Sequence, residues 1–267
     1  MSLWSAALLG VVQGLTEFLP ISSTAHLLVV GNAIGFHDPG GVFTVMIQFG
    51  SILAVMWLYR ARLWAVLRGL PSDPEARRFA LMLVLAVVPA VVAGLFFEDF
   101  VRNVLYASPM VVIAVAFVVG GVIMLVVERY RPTPLVTDAS QTPIGRAVAV
   151  GACQALALIP GVSRSGATMV GGLLLRLDRT AAAEFSFFLA IPTLAGAFLK
   201  DLWEVRDHLA PERAAEIAVG FSMAFLAALV VVGPFLRFVG RSGFAPFAWY
   251  RIAAGLLMFA ALAAGLL

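Results

Sequence analysis

Residues 13–26 read Gln13-Gly14-Leu15-Thr16-Glu17-Phe18-Leu19-Pro20-Ile21-Ser22-Ser23-Thr24-Ala25-His26, a polar cluster in an otherwise mostly apolar chain. A second polar cluster reads Pro160-Gly161-Val162-Ser163-Arg164-Ser165-Gly166-Ala167-Thr168. An ionisable side chain in bilayer hydrocarbon costs at least about 2.5–3.5 kcal/mol, so Glu17 and Arg164 are expected to face a polar cavity or each other. The carboxylate, imidazole, hydroxyl and guanidinium groups of the two clusters together suit a polyanion.

The composition is that of a membrane protein. Of the 267 residues, 62% are hydrophobic and 12% are charged, whereas soluble domains average about 45–50% apolar and about 25% charged residues. The basic residues lie in short loops between apolar runs, which is typical of membrane orientation and argues against nucleic-acid binding. We therefore expect one polytopic membrane domain over residues 1–267, surrounded by membrane lipids.

Several apolar runs are too short to cross a membrane. At about 1.5 Å per residue, the run from Trp4 to Leu19 covers about 24 Å and the run from Thr24 to Ile34 about 16 Å, against about 30 Å of hydrocarbon. Pro20 and Pro160-Gly161 break the apolar pattern within the two polar clusters. Each cluster is therefore predicted to lie in a re-entrant hairpin, with a short helix on either side of the break.

The two halves of the chain resemble each other. Gly10-Val11-Val12-Gln13 matches Gly151-Ala152-Cys153-Gln154 at an offset of 141 residues (151 − 10), and Pro20 matches Pro160. Because such matches occur in the same order in both halves, they predict an internal repeat. The first repeat is expected at about 1–130 and the second at about 144–267.

The fold predicted from this pattern is an all-α, inverted-topology repeat. With one re-entrant hairpin and three spanning helices in each repeat, the chain would have about six spanning helices and two hairpins meeting near the midplane. The odd number of crossings inverts the second repeat. Arginines concentrate in the loops at 60–78, 129–146 and 237–244. The positive-inside rule places these three loops in the cytoplasm and both termini outside.

The first cluster carries a carboxylate that needs a cation. Gln13 and Glu17 are four residues apart and share one helical face. Glu17 lies near the C-terminal end of its half-helix, where the helix dipole disfavours an anion, so a metal ion, Arg164 or a proton is expected beside it. We consider a metal site at Glu17 and Gln13. The alternative is a structural carboxylate paired with Arg164 or His26.

The same cluster contains hydroxyl groups and an imidazole. Ser22, Ser23 and Thr24 follow the break and are natural N-caps for the outgoing half-helix, which is the simpler explanation for each of them. His26 lies three residues after Ser23 on the same helical face, so the base and the hydroxyl can approach each other as a nucleophilic pair requires.

The second cluster has the features of an anion site. Ser163, Arg164 and Ser165 open a half-helix, and a helix N-terminus with an adjacent arginine binds anions through its dipole, its free N–H groups and the guanidinium fork. Gly161 and Gly166 would let the backbone approach an oxyanion closely. A plain turn, with Arg164 neutralising Glu17, is the alternative.

These residues resemble the undecaprenyl-diphosphate phosphatase family, the bacitracin-resistance type of integral membrane phosphatase, over essentially the whole chain. The family's first motif is Glu or Gln, three residues, Glu, then Pro-x-Ser-Ser and His; it falls on Gln13, Glu17, Ser22, Ser23 and His26. Its second motif falls on Pro160, Gly161, Ser163, Arg164, Ser165 and Thr168. The family also has a glutamine at the position of Gln48, which would line the site or make a helix-packing hydrogen bond.

The resemblance implies an enzyme that hydrolyses the terminal phosphate of a C55 isoprenyl diphosphate and regenerates the carrier lipid for cell-wall synthesis. It implies assistance by Mg²⁺ or Ca²⁺ and a location in the bacterial plasma membrane. The polyprenyl diphosphate is the expected partner. The oligomeric state stays open, with a homodimer as one candidate.

On this interpretation, Ser23, His26 and Glu17 are the catalytic residues, and Glu17 and Gln13 the metal ligands. The expected substrate-binding residues are Arg164, Ser163, Ser165, Thr168, Ser22 and Gln48. The sequence leaves Ser23, His26 and water open as nucleophiles. A transporter or lipid flippase with a midplane anion site is the competing class, because inverted repeats with broken helices are transporter architecture. A lipid-binding scaffold would leave the Ser23–His26 pair unexplained.

Overall fold

A computed structural model describes residues 2–38, 41–100, 109–205 and 213–265. Across these ranges the regular structure is helical, apart from one isolated β-bridge between Val136 and Leu177. The α-helices in the described residues are α1 (Leu3–Thr16), α2 (Ser23–Ala33), α3 (Val42–Leu58), α4 (Arg60–Gly69), α5 (Pro74–Phe100), α6 (Pro109–Tyr130), α7 (Ile144–Gln154), α8 (Arg164–Leu174), α9 (Arg179–Val205), α10 (Ala214–Ser242) and α11 (Ala245–Ala263). The predicted all-α class is confirmed.

The number of membrane crossings also agrees with the sequence. In the described part of the chain, α5, α6, α9, α10 and α11 are long and apolar enough to cross a membrane. Helices α3 and α4, bent by 74° relative to each other, would add a sixth span if counted as one. The protein is therefore a multi-pass membrane protein with five or six candidate spans.

The two predicted hairpins have the expected helix lengths and breaks. Helix α1 has 14 residues, and α2, α7 and α8 have 11 each. At about 1.5 Å per residue, none of them reaches across about 30 Å of hydrocarbon. The first break runs through residues 17–22, and the second through 159–163 after a 3₁₀ turn at Ala155–Leu158. These helix–break–helix segments are called the first and second hairpin below.

The segment after α3 differs from the prediction, because the expected loop at 60–78 contains helix α4. Arginine, leucine and alanine favour helices, and no breaker occurs before Gly69. No residue of α4 is buried, and Trp57 and Trp64 are exposed with the guanidinium groups of Arg60 and Arg68 over their rings. Exposed tryptophan and arginine along a sharply bent helix are typical of a helix lying at a membrane interface.

The predicted loop at 237–244 is also shorter than expected. Helix α10 continues to Ser242, so most of the predicted loop at 237–244 is helical, and the helix ends at Gly243, whose φ of 70° suits a C-terminal glycine. Helices α5 and α9 extend to Phe100 and Val205. The sequence also predicts loops at 98–107 and 200–214, and most of their residues, 101–107 and 206–212, lie outside the described residues.

The helices pack into two compact units. The first unit comprises Met1–Leu19, Ser23–Arg77 and Ala190–Phe235. The second comprises Pro20–Ser22, Arg78–Leu189 and Leu236–Leu267. Within the first break, residues 17–19 thus belong to the first unit and Pro20–Ser22 to the second. The boundaries of the sequence repeats stay a prediction, because packing units and sequence repeats are different divisions of the chain.

In the first unit, small residues bring α1 close to α10. A Cβ atom added at Gly10 would overlap the carbonyl of Gly220, and one added at Gly14 would overlap that of Ala224. Small residues four apart on each helix allow this approach, as is common for membrane helices. A buried cluster of Ala6, Leu9, Phe43, Ile47 and Ala224 fills the contact and fixes the helix that carries Gln13.

In the second unit, α6 and α11 pack closely, and a partly buried ion pair holds their ends. A Cβ atom at Gly121 would lie 2.7 Å from the carbonyl oxygen of Ala248. At the end of α6, the Glu128 carboxylate accepts from the Arg179 guanidinium and, at 3.2 Å, from the backbone N–H of Phe244. These contacts tie the start of α11 to α6 and α9.

Candidate active site

The end of α1 presents a buried carboxylate. Gln13 is 1% exposed and Glu17 is 6% exposed. The Gln13 Nε2 donates to Glu17 Oε2 at 3.0 Å, as the spacing of four residues predicts. One oxygen of the carboxylate is therefore held in place by the helix that precedes the break.

The same carboxylate oxygen accepts a second hydrogen bond from across the break. The Ser23 hydroxyl donates to Glu17 Oε2 at 2.6 Å, a distance typical of a charge-assisted O–H···O bond. Ser23 is the first residue of α2 and is half-buried, and His26 is half-buried one turn later on the same helix. The spacing of the sequence pairs Ser23 with His26, but it does not predict the bond between Ser23 and Glu17.

Each break ends on a serine in a left-handed backbone conformation. Ser22 has a φ of 66° and precedes α2, and Ser163 has a φ of 72° and precedes α8. Both are buried, and they are 141 residues apart (163 − 22), the same offset that relates Gln13 to Gln154. Non-glycine residues adopt positive φ rarely, and such strain concentrates at functional sites.

The second break places two serine hydroxyl groups at the start of α8. Ser163 Oγ accepts from the backbone N–H of Gly166 at 3.1 Å and lies 3.0 Å from Ser165 Oγ. Both serines are buried, with exposed fractions of 7% and 1%. The N-terminus of an 11-residue helix carries the positive end of the helix dipole, which favours an anion beside it.

Arg164 and Thr168 are both anchored to Ser186 on α9. Arg164 Nη1 donates to the Ser186 carbonyl at 3.0 Å, and Thr168 Oγ1 lies 2.7 Å from Ser186 Oγ. Thr168 is fully buried, whereas Arg164 is half-buried. Ser186 was not predicted, since a serine within an apolar run gives no sequence signal. Its contacts fix the orientation of the first turn of α8.

The remaining predicted residue, Gln48, is half-buried in α3 of the first unit. The structure thus brings Gln13, Glu17 and Ser23 together in the first unit. It gathers Ser163, Arg164, Ser165 and Thr168 in the second. Ser22 belongs to the second unit as part of the first break.

Arg251, in α11, is a buried cation that the motif reasoning missed. Its side chain is 1% exposed. Nη1 donates to the carbonyl oxygens of Pro20 at 3.2 Å and Val162 at 2.8 Å, and Nη2 to those of Ala116 and Gly161 at 2.9 Å each. An ionisable side chain within an apolar run indicates a functional site, which is why Glu17 is considered. Arg251 also lies within an apolar run, so the same criterion would have predicted it.

The donor set near Glu17 fits a hard divalent cation. The Glu17 carboxylate, the Gln13 amide oxygen and the Ser23 hydroxyl offer oxygen ligands, and Mg²⁺ is often bound through one or two carboxylates plus substrate phosphates. No group of three or more His, Cys, Asp or Glu side chains suited to a metal occurs among the residues that the structure describes. A site completed by phosphate oxygens is compatible with this set.

The sequence that contains these site residues matches a known protein family. The profile of the family described as "Bacitracin resistance protein BacA" matches residues 6–257. The chain belongs to the BacA family. The match includes both helix breaks and Arg251, so every residue assigned to the site lies within it.

Curated BacA relatives are similar over nearly their full length. The chain is 52% identical over 252 residues to an undecaprenyl-diphosphatase of Phenylobacterium zucineum, with 94% of each chain covered. It is 48% identical over 260 residues to an undecaprenyl-diphosphatase of Cereibacter sphaeroides, with 97% of each covered. An undecaprenyl-diphosphatase of Caulobacter vibrioides is 48% identical over 257 residues, with 96% of each covered. The resemblance stated from the motifs is confirmed.

Proposed function

We propose that this BacA family member hydrolyses undecaprenyl diphosphate to undecaprenyl phosphate and inorganic phosphate. Relatives about 50% identical over nearly the whole chain are named for this activity. The single observation that carries the proposal is the 2.6 Å hydrogen bond from Ser23 to the buried Glu17 carboxylate. A hydroxyl bonded to a carboxylate is the arrangement that an activated nucleophile requires.

In the proposed first step, the Ser23 oxygen attacks the terminal phosphorus of the diphosphate. The hydroxyl proton passes to Glu17 along the existing hydrogen bond. The bond from the terminal phosphorus to the bridging oxygen breaks, and undecaprenyl phosphate leaves with that oxygen. The terminal phosphoryl group stays on Ser23. This step explains why Gln13 holds the carboxylate: Glu17 has to keep one oxygen aimed at Ser23.

In the proposed second step, a water molecule attacks the phosphoryl group on Ser23. His26, one turn further along α2, is assigned to accept the proton of that water. Glu17 returns its proton to the Ser23 oxygen as the bond to phosphorus breaks. Inorganic phosphate is released, His26 passes its proton to the departing phosphate or to bulk water, and the enzyme regains its starting state.

We assign the residues at the start of α8 to binding the negatively charged oxygens of the diphosphate. Phosphoryl transfer depends mainly on positioning and on stabilising charge at the phosphate oxygens. Arg164, Ser163 and Ser165 supply a guanidinium and two hydroxyls beside a helix N-terminus, which is a suitable donor set for these oxygens. Thr168 is assigned to the same group of substrate-binding residues. Its hydroxyl is held in place by its contact with Ser186. Ser22 and Gln48 remain predicted substrate contacts.

Mg²⁺ or Ca²⁺ is the proposed cofactor, with Glu17, Gln13 and Ser23 as the residues that would hold it. When bound, such an ion neutralises phosphate charge and polarises the phosphoryl group. The residues of the chain then have only to align the nucleophile and remove its proton.

The proposal extends to location and assembly. Because the product is a lipid carrier used in cell-wall synthesis, we place the protein in the bacterial plasma membrane, with both termini outside. The substrate would enter from the surrounding lipid. A homodimer is the assembly that we would test first, and none of the chemistry above requires it.

A transporter is the competing class, and a gradient-free assay separates the two. Purified protein in detergent, supplied with undecaprenyl diphosphate and a divalent ion, is expected to release inorganic phosphate. A transporter or flippase has no gradient or second compartment to act on in detergent and would release none. Wild-type protein that is folded and binds the lipid without releasing phosphate would contradict the proposed function.

A further inference from the structure

Arg251 has no terminal N–H group left for a substrate. A guanidinium has five N–H donors, two on each terminal nitrogen and one on Nε. Four carbonyl oxygens within 2.8–3.2 Å occupy the four terminal donors. Nε is buried and has no hydrogen-bond partner among the described residues. The Arg251 guanidinium therefore has no pair of N–H groups left to bind a phosphate. Its role lies in the backbone carbonyls that it binds.

Arg251 holds both helix breaks at equivalent positions. Pro20 lies in the first break, and Gly161 and Val162 lie in the second. Pro20 and Gly161 are 141 residues apart (161 − 20), the offset that also relates Ser22 to Ser163. One guanidinium thus fixes, in each break, the carbonyl that lies two residues before the serine at positive φ. The fourth carbonyl, that of Ala116, anchors the side chain to α6.

The Pro20 and Gly161 carbonyls lie two residues before the two strained serines, and the Val162 carbonyl lies one residue before Ser163. A non-glycine residue at positive φ costs about 1–3 kcal/mol and persists only where its surroundings hold it. In the first break, Ser22 sits directly before Ser23, the proposed nucleophile. In the second, Ser163 caps α8. The contacts of Arg251 therefore act on the backbone that sets the direction of both functional segments.

The charge of Arg251 is balanced by carbonyl dipoles rather than by an acid. No carboxylate among the described residues forms an ion pair with it. Its Nη1 lies 3.2 Å from the point where a Cβ on Gly166 would sit, beside the first turn of α8. A buried positive charge at this place adds to the potential of the helix N-terminus and favours an anion there.

We propose that Arg251 is a positioning residue for the phosphoryl transfer, which locks both helix breaks in their active conformation and adds positive potential at the start of α8. This inference rests on the proposed function. It predicts that a change at Arg251 that keeps the positive charge lowers the rate of the chemical step rather than the affinity for the lipid.

The test compares Arg251→Lys with Arg179→Lys. A lysine keeps the charge but has a single nitrogen, so it cannot bridge the four carbonyls. Arg179 is a matched control, because it is a partly buried arginine of the same unit that binds Glu128 and neither break. In detergent, we expect Arg251→Lys to lower kcat by about 100-fold or more with little change in KM, since small misplacements at a reacting centre have costs of that order. Arg179→Lys is expected to keep kcat near the wild-type value at a comparable loss of Tm.

A second variant disturbs Arg251 without replacing it. A methyl group at Gly120 would overlap Arg251 Nη2, so Gly120→Ala should displace the guanidinium and lower kcat. Gly233→Ala is its control, because a methyl group there meets no neighbouring atom within 4 Å. If Arg251→Lys does not fold, the comparison of Gly120→Ala with Gly233→Ala tests the positioning role of Arg251.

The possible results test the positioning role of Arg251 separately from the proposed phosphatase activity on which it rests. Wild-type protein that releases no phosphate overturns the proposed function. An active wild type together with a folded Arg251→Lys or Gly120→Ala variant of unchanged kcat overturns the positioning role. A raised KM at unchanged kcat does so as well. Loss of folding in both variants, with both controls folded, would make Arg251 a purely structural residue.

Discussion

Ser23 donates a 2.6 Å hydrogen bond to the carboxylate of Glu17 across the break of the first hairpin. The carboxylate is buried and is also held by Gln13. A nucleophile and its proton acceptor are thus aligned before any substrate arrives. This pre-alignment is the basis of the predictions for the first hairpin.

Replacing Ser23 by alanine is expected to abolish turnover, because the alanine side chain offers no oxygen to attack phosphorus. His26→Ala should lower turnover less, by about 10²–10⁴-fold, which is typical for removing a general base. Phosphate release from undecaprenyl diphosphate measures both. A Ser23→Ala variant that retains more activity than His26→Ala would show that Ser23 is not the nucleophile.

Glu17→Gln keeps the shape of the side chain and removes its charge. If Glu17 takes the Ser23 proton and supports a divalent ion, turnover should collapse and the dependence on metal concentration should weaken, while lipid binding changes little. The alternative is a structural ion pair, whose disruption should cost about 3–5 kcal/mol of stability. Titration with Mg²⁺ and measurement of Tm distinguish them. Unchanged metal titration with a large drop in Tm would contradict the metal site.

Arg164→Lys is expected to lose most activity without unfolding. An ammonium group cannot form the paired hydrogen bonds that a guanidinium makes with phosphate oxygens. Arg164 is half-buried, and its Nη1 donates to the Ser186 carbonyl at 3.0 Å, a contact that a lysine can still reach in part. Activity and Tm are the readouts. Near wild-type activity in a folded variant would remove Arg164 from the substrate site.

The membrane topology predicts which loops are labelled from which side. Single cysteines at Ser72 and Thr137, both exposed, should react with an impermeant reagent only from the cytoplasm. A cysteine at His37, exposed after α2, should react only from outside. Cys153 is replaced in all variants. Labelling of positions 72 and 137 from opposite sides would contradict the inverted repeat.

The fold could be predicted largely from where polar residues and prolines interrupt the apolar pattern. Pro20 and Pro160 mark hairpins because a short helix cannot cross the bilayer. Helix α4 could not be predicted by the same means, because its arginines look like a charged loop. Its helical state depends on local propensity and on the membrane surface.

The site was predictable only in part, for a geometric reason. The contact between Gln13 and Glu17 follows from helical spacing. The bond between Ser23 and Glu17 depends on the path of the chain through residues 17–22, which periodicity does not describe. The partners of Arg251 are backbone carbonyls up to 231 residues away in the chain, and no sequence motif identifies a carbonyl as a partner.

The central claim, attack by Ser23 on the terminal phosphorus, is tested most directly by trapping the phosphorylated enzyme. Wild-type protein is mixed with undecaprenyl diphosphate carrying a labelled terminal phosphate and quenched within one turnover, in acid and in alkali. His26→Ala, expected to hydrolyse the intermediate slowly, serves as a second sample in which it should accumulate. The account predicts an acid-stable phosphate that mass spectrometry places on residue 23 and that is absent in Ser23→Ala. An acid-labile phosphate on His26, or label that passes to water without ever residing on the protein, would contradict it.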